Sequence, residues 1–177
     1  MNAPIPVFID EKKIACRVQE LAKAIEKDYQ KKEIVAIAPL GGSFIFFADL
    51  VRNINLPVYC EFLSLSPYSR SSGEVKILLD VKDSLEGKHL LLIEDLVDSG
   101  LTLNYLQKAL MARNPLSLKT CALVVKKVGL PNKVAVDYAG FEVSEHFLVG
   151  YGIDDKGRYR QLPYLGILSS HNEHRTE

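Results

Sequence analysis

Apolar positions along this chain follow two periods, and the switches between them mark its elements. Ile14, Val18, Leu21 and Ile25 recur at helical spacing behind Asp10, a residue suited to cap a helix. Residues 34–38 are continuously apolar, as a strand buried on both faces requires. Pro39-Leu40-Gly41-Gly42-Ser43 breaks that run as a tight loop, and Phe47, Leu50, Val51 and Ile54 then resume the helical spacing. Residues 57–65 predict a second strand, and 75–80 another. Between them Ser66-Pro67-Tyr68-Ser69-Arg70-Ser71-Ser72-Gly73 is polar and rich in turn formers, which predicts a mobile loop. Gly87 marks a turn before an apolar strand at 88–93. Leu103, Leu106 and Leu110 form the stripe of a helix over 102–113, and further strands are predicted at 118–125, 133–136 and 147–149. The chain turns polar from Ser169, and 170–177 reads as a frayed tail.

Strands alternating with helices predict an α/β fold with a mostly parallel central sheet flanked by helices. The length of 177 residues suits one domain over 1–177. Parallel sheets place ligands beyond the carboxyl ends of their strands. The carboxyl end of the 88–93 strand is therefore the place of most interest, in the segment His89-Leu90-Leu91-Leu92-Ile93-Glu94-Asp95-Leu96-Val97-Asp98-Ser99-Gly100-Leu101-Thr102. An apolar run ends in two adjacent carboxylates, then a third acid, then a Ser-Gly-x-Thr turn that opens a helix. Such a turn can cradle a phosphate with backbone N–H groups and hydroxyls. Acids beside a phosphate nest make electrostatic sense if they hold hydroxyls or a metal. Read alone, Asp98 would be the N-cap of a helix over 99–113, but capping rarely needs three acids and a hydroxyl-rich turn.

With 22 basic and 22 acidic residues the net charge is zero, which argues against binding nucleic acid through bulk charge and leaves small anionic ligands open. Cys16, Cys60 and Cys121 are far apart and odd in number, with no metal or redox spacing. They are expected to be buried small hydrophobes in a reducing, cytoplasmic setting. Residues 1–6 have neither a basic region nor an apolar core, so no signal peptide is expected. The longest apolar stretch, 34–48, is interrupted by Pro39, Gly41, Gly42 and Ser43, so no membrane span is expected either.

The segment from His89 to Thr102 resembles the phosphoribosyl diphosphate (PRPP) signature of the type I phosphoribosyltransferases. Over almost its full length the chain is similar to the 6-oxopurine, or hypoxanthine–guanine, branch of that family. The carrying blocks are Leu40-Gly41-Gly42-Ser43-Phe44-Ile45-Phe46-Phe47-Ala48-Asp49-Leu50, the signature, Val124-Val125-Lys126-Lys127, and the stretch from Asp137 through Phe147-Leu148-Val149-Gly150-Tyr151-Gly152-Ile153-Asp154 to Arg160-Gln161-Leu162-Pro163.

That resemblance implies a hood built from N- and C-terminal segments and the mobile loop. It also implies roles. Glu94 and Asp95 would meet the ribose hydroxyls, and Ser99, Gly100, Leu101 and Thr102 the 5′-phosphate. Asp98 would handle the proton at purine N7. Gly41, Gly42 and Arg160 would bind pyrophosphate. Lys126 would read the 6-oxo oxygen, Phe147 would stack on the purine, and Leu148, Ile153 and Asp154 would complete the base pocket. Mg²⁺ would be held by Asp154, with Glu94 and Asp95 as further candidates. Ser66 and Tyr68 would close over PRPP.

The implied reaction moves phosphoribosyl from PRPP to N9 of hypoxanthine or guanine, in a homodimer or homotetramer without nucleic acid or membrane partners. A xanthine-preferring enzyme and a PRPP-binding regulator are the alternatives. The chain departs from the family pattern at Gly41, where Lys or Arg is usual. It departs again at Pro67, which separates Ser66 from Tyr68, and at the apolar Leu101.

Overall fold

The computed structural model describes residues 5–66, 76–127, 134–144 and 146–168. A six-stranded sheet runs in the order β4-β3-β2-β5-β6-β7. Its strands are β2 (Ile34–Pro39), β3 (Val58–Leu65), β4 (Ile77–Leu79), β5 (His89–Val97), β6 (Ser117–Lys126) and β7 (Tyr138–Val143). All neighbours are parallel except β4, which pairs antiparallel to β3 at one edge. A second, antiparallel sheet joins β1 (Val7–Ile9), β9 (Leu165–Ile167) and β8 (Leu148–Val149) in that order. N- and C-terminal segments thus form the expected hood together.

Three helices are found among the described residues: α1 (Glu11–Asp28), α2 (Phe44–Arg52) and α3 (Leu101–Met111). None is long and apolar enough to cross a membrane. Asp10 caps α1 as expected, its Oδ1 accepting from the Lys13 N–H at 2.9 Å. Ile14, Val18, Leu21 and Ile25 are buried on one face of that helix, and Leu103, Leu106 and Leu110 on one face of α3. In α2 the buried set is Phe46, Phe47 and Leu50; Val51 is half-buried, and Ile54 is buried just beyond the helix end.

The alternation of side chains along each central strand divides the core. Ala36, Ala38, Leu91 and Ile93 pack with α1, α2 and the hood. Val35, Ile37, Leu90 and Leu92 pack with α3 on the other face. The chain leaves β2 through α2 toward β3, and leaves β5 through α3 toward β6 on the opposite side. β2 and β5 therefore flank a topological switch point, where two loops diverge and leave a crevice for ligand.

Several expectations need correcting. Residues 134–136 lie outside any strand, and the strand there is β7 at 138–143. Gly140, in the middle of β7, has no room for a side chain, because a Cβ would lie 2.3 Å from the Leu123 carbonyl oxygen. Arg17 of α1 covers that edge, donating to the carbonyls of Ala139 and Gly140 at 2.8 Å each. Of the cysteines only Cys121 is buried; Cys16 and Cys60 are exposed, since they sit on the outward positions of α1 and β3.

Asp10→Ala removes the α1 cap and is expected to cost about 1 kcal/mol, which lowers Tm by about 2–4 °C for a chain of this size in a thermal unfolding scan.

Candidate functional site

β5 does not stop before its acids. It runs on through Val97, four residues past the expected end, so Glu94 and Asp95 are strand residues with side chains on opposite faces. Their carboxylates are held in the low-dielectric end of the sheet rather than on a solvated loop. Glu94 is only 6% exposed, and its Oε1 has no hydrogen-bond partner among the described residues. Burial, helped by the neighbouring Asp95 charge, pushes its pKa well above the ordinary 4.5. Burial also raises Asp95, against the pull of the N–H groups of Leu96 and Asp95 and of the Arg160 charge.

Two close backbone approaches lie beside these acids. A Cβ on Gly42 would lie 1.7 Å from Asp95 Oδ2, so the loop after β2 can lie against that carboxylate only as glycine. A Cβ on Gly152 would lie 2.0 Å from the Gly42 carbonyl oxygen. Gly41, at φ +122°, turns its α-carbon toward the Arg160 guanidinium. The loop itself is anchored by Ser43, whose hydroxyl donates to the Pro39 carbonyl at 2.5 Å, and by the Leu40 N–H, which donates to Leu63 at 2.7 Å.

Arg160 lies 2.8 Å from Asp154 Oδ1 and donates to the Gly152 carbonyl at 2.6 Å. The Gly157 N–H donates to Asp154 Oδ2 at 2.6 Å. Asp95, Gly41, Gly42, Asp154 and Arg160, spread over more than a hundred residues of sequence, thus meet at one place.

The signature turn lies beside them. Gly100, at φ +74°, leads into α3, which has no side-chain cap. Its first N–H groups are unsatisfied by the helix itself and carry partial positive charge. Ser99 Oγ lies at 3.5 Å from the Leu101 N–H. A cleft of about 260 Å³ is lined by Glu94, Asp95, Asp98, Ser99, Gly100 and Thr102. Asp98 is not the helix cap; its Oδ2 lies 3.0 Å from Lys126 Nζ at the end of β6. The lysine side chain of that pair is 15% exposed and the aspartate 63%.

Phe147 is half exposed, whereas Leu148 and Ile153 have their side chains in the core shared with the hood. Ser66 closes back on the returning chain, its N–H donating to the Lys76 carbonyl at 2.8 Å and its hydroxyl accepting from the Lys76 N–H at 2.9 Å. Tyr68 and the rest of the expected mobile loop lie outside the described residues. Among the described residues no group of three or more His, Cys, Asp and Glu side chains is arranged as a metal cage.

Residues 9–156 match the phosphoribosyl transferase domain. The chain belongs to that family. The hypoxanthine-guanine phosphoribosyltransferase of Dictyostelium discoideum is 48% identical over 169 residues, covering 92% of this chain and 94% of that protein. A hypoxanthine-guanine phosphoribosyltransferase structure from Bacillus anthracis superposes with a TM-score of 0.90 at 39% identity, over 94% of this chain and 100% of that one. A hypoxanthine phosphoribosyl transferase of Trypanosoma cruzi, studied for the role of its C-terminal region on oligomeric state and enzymatic activity, gives 0.88 at 38% identity, over 96% and 94%.

Within this phosphoribosyl transferase fold, sequence reasoning missed Gly152, which meets Gly42 and whose carbonyl holds Arg160. The only signal was its place in the Gly150-Tyr151-Gly152 run, which says nothing about the partner loop.

The raised Glu94 pKa has a stability consequence. The folded chain keeps the proton at a pH where the unfolded chain has lost it, so stability falls as pH rises above 4.5. Asp95 adds to this with the same sign. Thermal unfolding of the ligand-free Glu94→Gln protein between pH 4 and 8 should show a shallower loss of Tm with rising pH than the unsubstituted protein.

Proposed function

We propose that this chain is a purine-salvage enzyme that transfers the 5-phosphoribosyl group from PRPP to N9 of hypoxanthine or guanine, giving IMP or GMP and pyrophosphate. The observation that carries the reading is the end of β5: a buried Glu94 and a partly buried Asp95, followed by the short 98–100 turn into an uncapped helix N-terminus. The acids suit ribose hydroxyls, which can donate to a buried acceptor such as Glu94 Oε1. The helix N-terminus suits a phosphate. The names of the relatives, at 48% and 39% identity over nearly the whole chain, support the 6-oxopurine branch.

On this reading Glu94 and Asp95 hold the ribose, and Ser99, Gly100, Leu101 and Thr102 receive the 5′-phosphate. Gly41, Gly42 and Arg160 face the pyrophosphate. Lys126 leaves Asp98 to donate to the purine 6-oxo oxygen, which an exocyclic amino group cannot replace as acceptor. Asp98, freed of its ion pair, accepts the N7 proton as N9 bonds to C1′. The C1′–O bond breaks with its electron pair leaving on pyrophosphate, whose charge Arg160 meets. Phe147 stacks on the base, with Leu148, Ile153 and Asp154 at its edge. Ser66 and Tyr68 belong to the closing loop that excludes water.

Four carboxylates, those of Glu94, Asp95, Asp98 and Asp154, stand against two cations, Lys126 and Arg160. A polyphosphate substrate would enter an acidic site, and a divalent cation is the physical complement. Mg²⁺ is ordinarily held by one or two carboxylates together with substrate phosphates and water, and Asp154, with Glu94 or Asp95, fits that donor set. When bound, the ion would supply charge neutralisation at the pyrophosphate.

A homodimer or homotetramer is favoured by exposed Leu40 and Phe44 flanking the 41–43 turn. The unpaired cysteines favour a reducing, cytoplasmic setting.

The test is a steady-state assay with PRPP, Mg²⁺ and, separately, hypoxanthine, guanine, xanthine and adenine. Nucleotide formed from hypoxanthine or guanine is the expected result, and turnover of none of the four bases would sink the reading. Asp98→Asn should lower kcat by about 10²-fold or more. Lys126→Ala should narrow the preference for 6-oxo over 6-amino purines by about tenfold or more.

A further inference from the structure

The segment 150–162 carries Asp154 and Arg160 yet belongs to no long element. Its backbone closes on itself in seven hydrogen bonds, four of them around Tyr151. Gly150 and Ile153 exchange both of theirs, the Tyr151 N–H donates to Leu162 at 2.8 Å, and the Gly152 N–H donates to Arg160 at 3.0 Å. At its centre Tyr151 has φ +49°, between Gly150 at +104° and Gly152 at +101°. A bulky aromatic residue in the left-handed region is an outlier, and it persists only where its surroundings hold it.

What holds this one is visible. Tyr151 is only 7% exposed, and its hydroxyl donates to Asp49 Oδ2 on α2. Asp49 is itself paired with Arg52 one turn later. The same α2 begins immediately after Gly41-Gly42-Ser43. Gly152, the next residue after Tyr151, packs against the Gly42 carbonyl with no room for a Cβ. One side-chain bond and one backbone approach, from adjacent residues, therefore join the same two segments. Behind the bond a cleft of about 370 Å³ lies between α1 and Leu162 and Pro163.

We propose that the Tyr151–Asp49 hydrogen bond is a bolt that sets the Asp154–Arg160 pair against the Gly41-Gly42 turn, which makes Tyr151 and Asp49 positioning residues for the pyrophosphate half of the site. This inference rests on the phosphoribosyl-transfer reading. It assigns function to a residue pair that touches no substrate. Loss of the hydroxyl frees the strained turn to relax, and the Arg160 guanidinium then loses its fixed distance from Gly41. The 5′-phosphate turn at 99–102 is held by β5 and α3 and is untouched.

The two halves of the site can be probed separately by titration calorimetry, with magnesium pyrophosphate for one and ribose 5-phosphate for the other. Tyr151→Phe should weaken pyrophosphate binding about five- to tenfold and leave ribose 5-phosphate unchanged. General destabilisation would lower the active fraction for both probes and not the ratio of their affinities. Asp49→Ala guards against a variant that fails to fold, and the Tyr151→Phe/Asp49→Ala double variant should bind pyrophosphate no more weakly than Asp49→Ala alone. Equal pyrophosphate affinity in Tyr151→Phe and the unsubstituted protein would overturn the bolt, as would fully additive losses. If the unsubstituted protein binds neither probe and makes no nucleotide, the phosphoribosyl-transfer reading and this inference both fall. If it turns over and only the Tyr151→Phe prediction fails, the inference falls alone.

Discussion

Two adjacent acids on opposite faces of the end of a central strand, Glu94 buried and Asp95 partly so, set the terms for everything around them. Each would lower its free energy by moving into water, and neither has a lysine or arginine salt bridge among the described residues. The strand that carries them is anchored in the core, with Leu90, Leu91, Leu92 and Ile93 fully buried between two layers. That apolar anchor holds the acids at the switch point against their own solvation. The ligand-free fold is less stable for it, because Glu94 Oε1 is buried without a hydrogen-bond partner among the described residues.

The neighbouring segments are shaped by the same constraint. Asp95 leaves no volume for a side chain at 42, and the Gly42 carbonyl in turn leaves none at 152. The loop after β2 and the turn of the hood are thus stacked in series on a strand side chain. The cations that flank the acids are each already engaged, Lys126 by Asp98 and Arg160 by Asp154. In the first pair Asp98 is exposed to water, and in the second both partners keep some exposure, so neither pair is sealed off from solvent. On the phosphoribosyl-transfer reading a ligand's oxygens would replace these carboxylate partners, while the acids of β5 stay where the strand puts them.

Legibility in the sequence followed the strength of local pattern. α1 and α3 show clean stripes at helical spacing, and β2, β5 and β6 are long apolar runs, so each was readable. β1 and β9 have three residues each and owe their pairing to a partner more than 150 positions away, which no local window contains. β7 hides because Ala139 and Gly140 are poor strand formers, placed there by the closeness of Leu123 rather than by propensity. In the site, residue types and their order were legible from the signature. That the acids lie inside β5, that Asp98 pairs with Lys126 instead of capping α3, and that Gly152 meets Gly42 are tertiary facts with no trace in spacing.

Gly41 shows how a departure from the family pattern is absorbed. At φ +122° the backbone is in a region that suits glycine and strains any residue with a Cβ. A lysine or arginine side chain would have to leave from that same α-carbon, in the direction of Arg160, whose Nη2 is 3.8 Å from the Cβ position. With glycine the space is left to Arg160, and the contact surface of the loop becomes its backbone. On the phosphoribosyl-transfer reading, binding at that end of the site would depend on how firmly the loop and the hood turn are held against each other rather than on a long charged side chain reaching across. The left-handed Tyr151, flanked by glycines and tied to the helix that begins after this loop, is the part of the fold whose geometry answers that need.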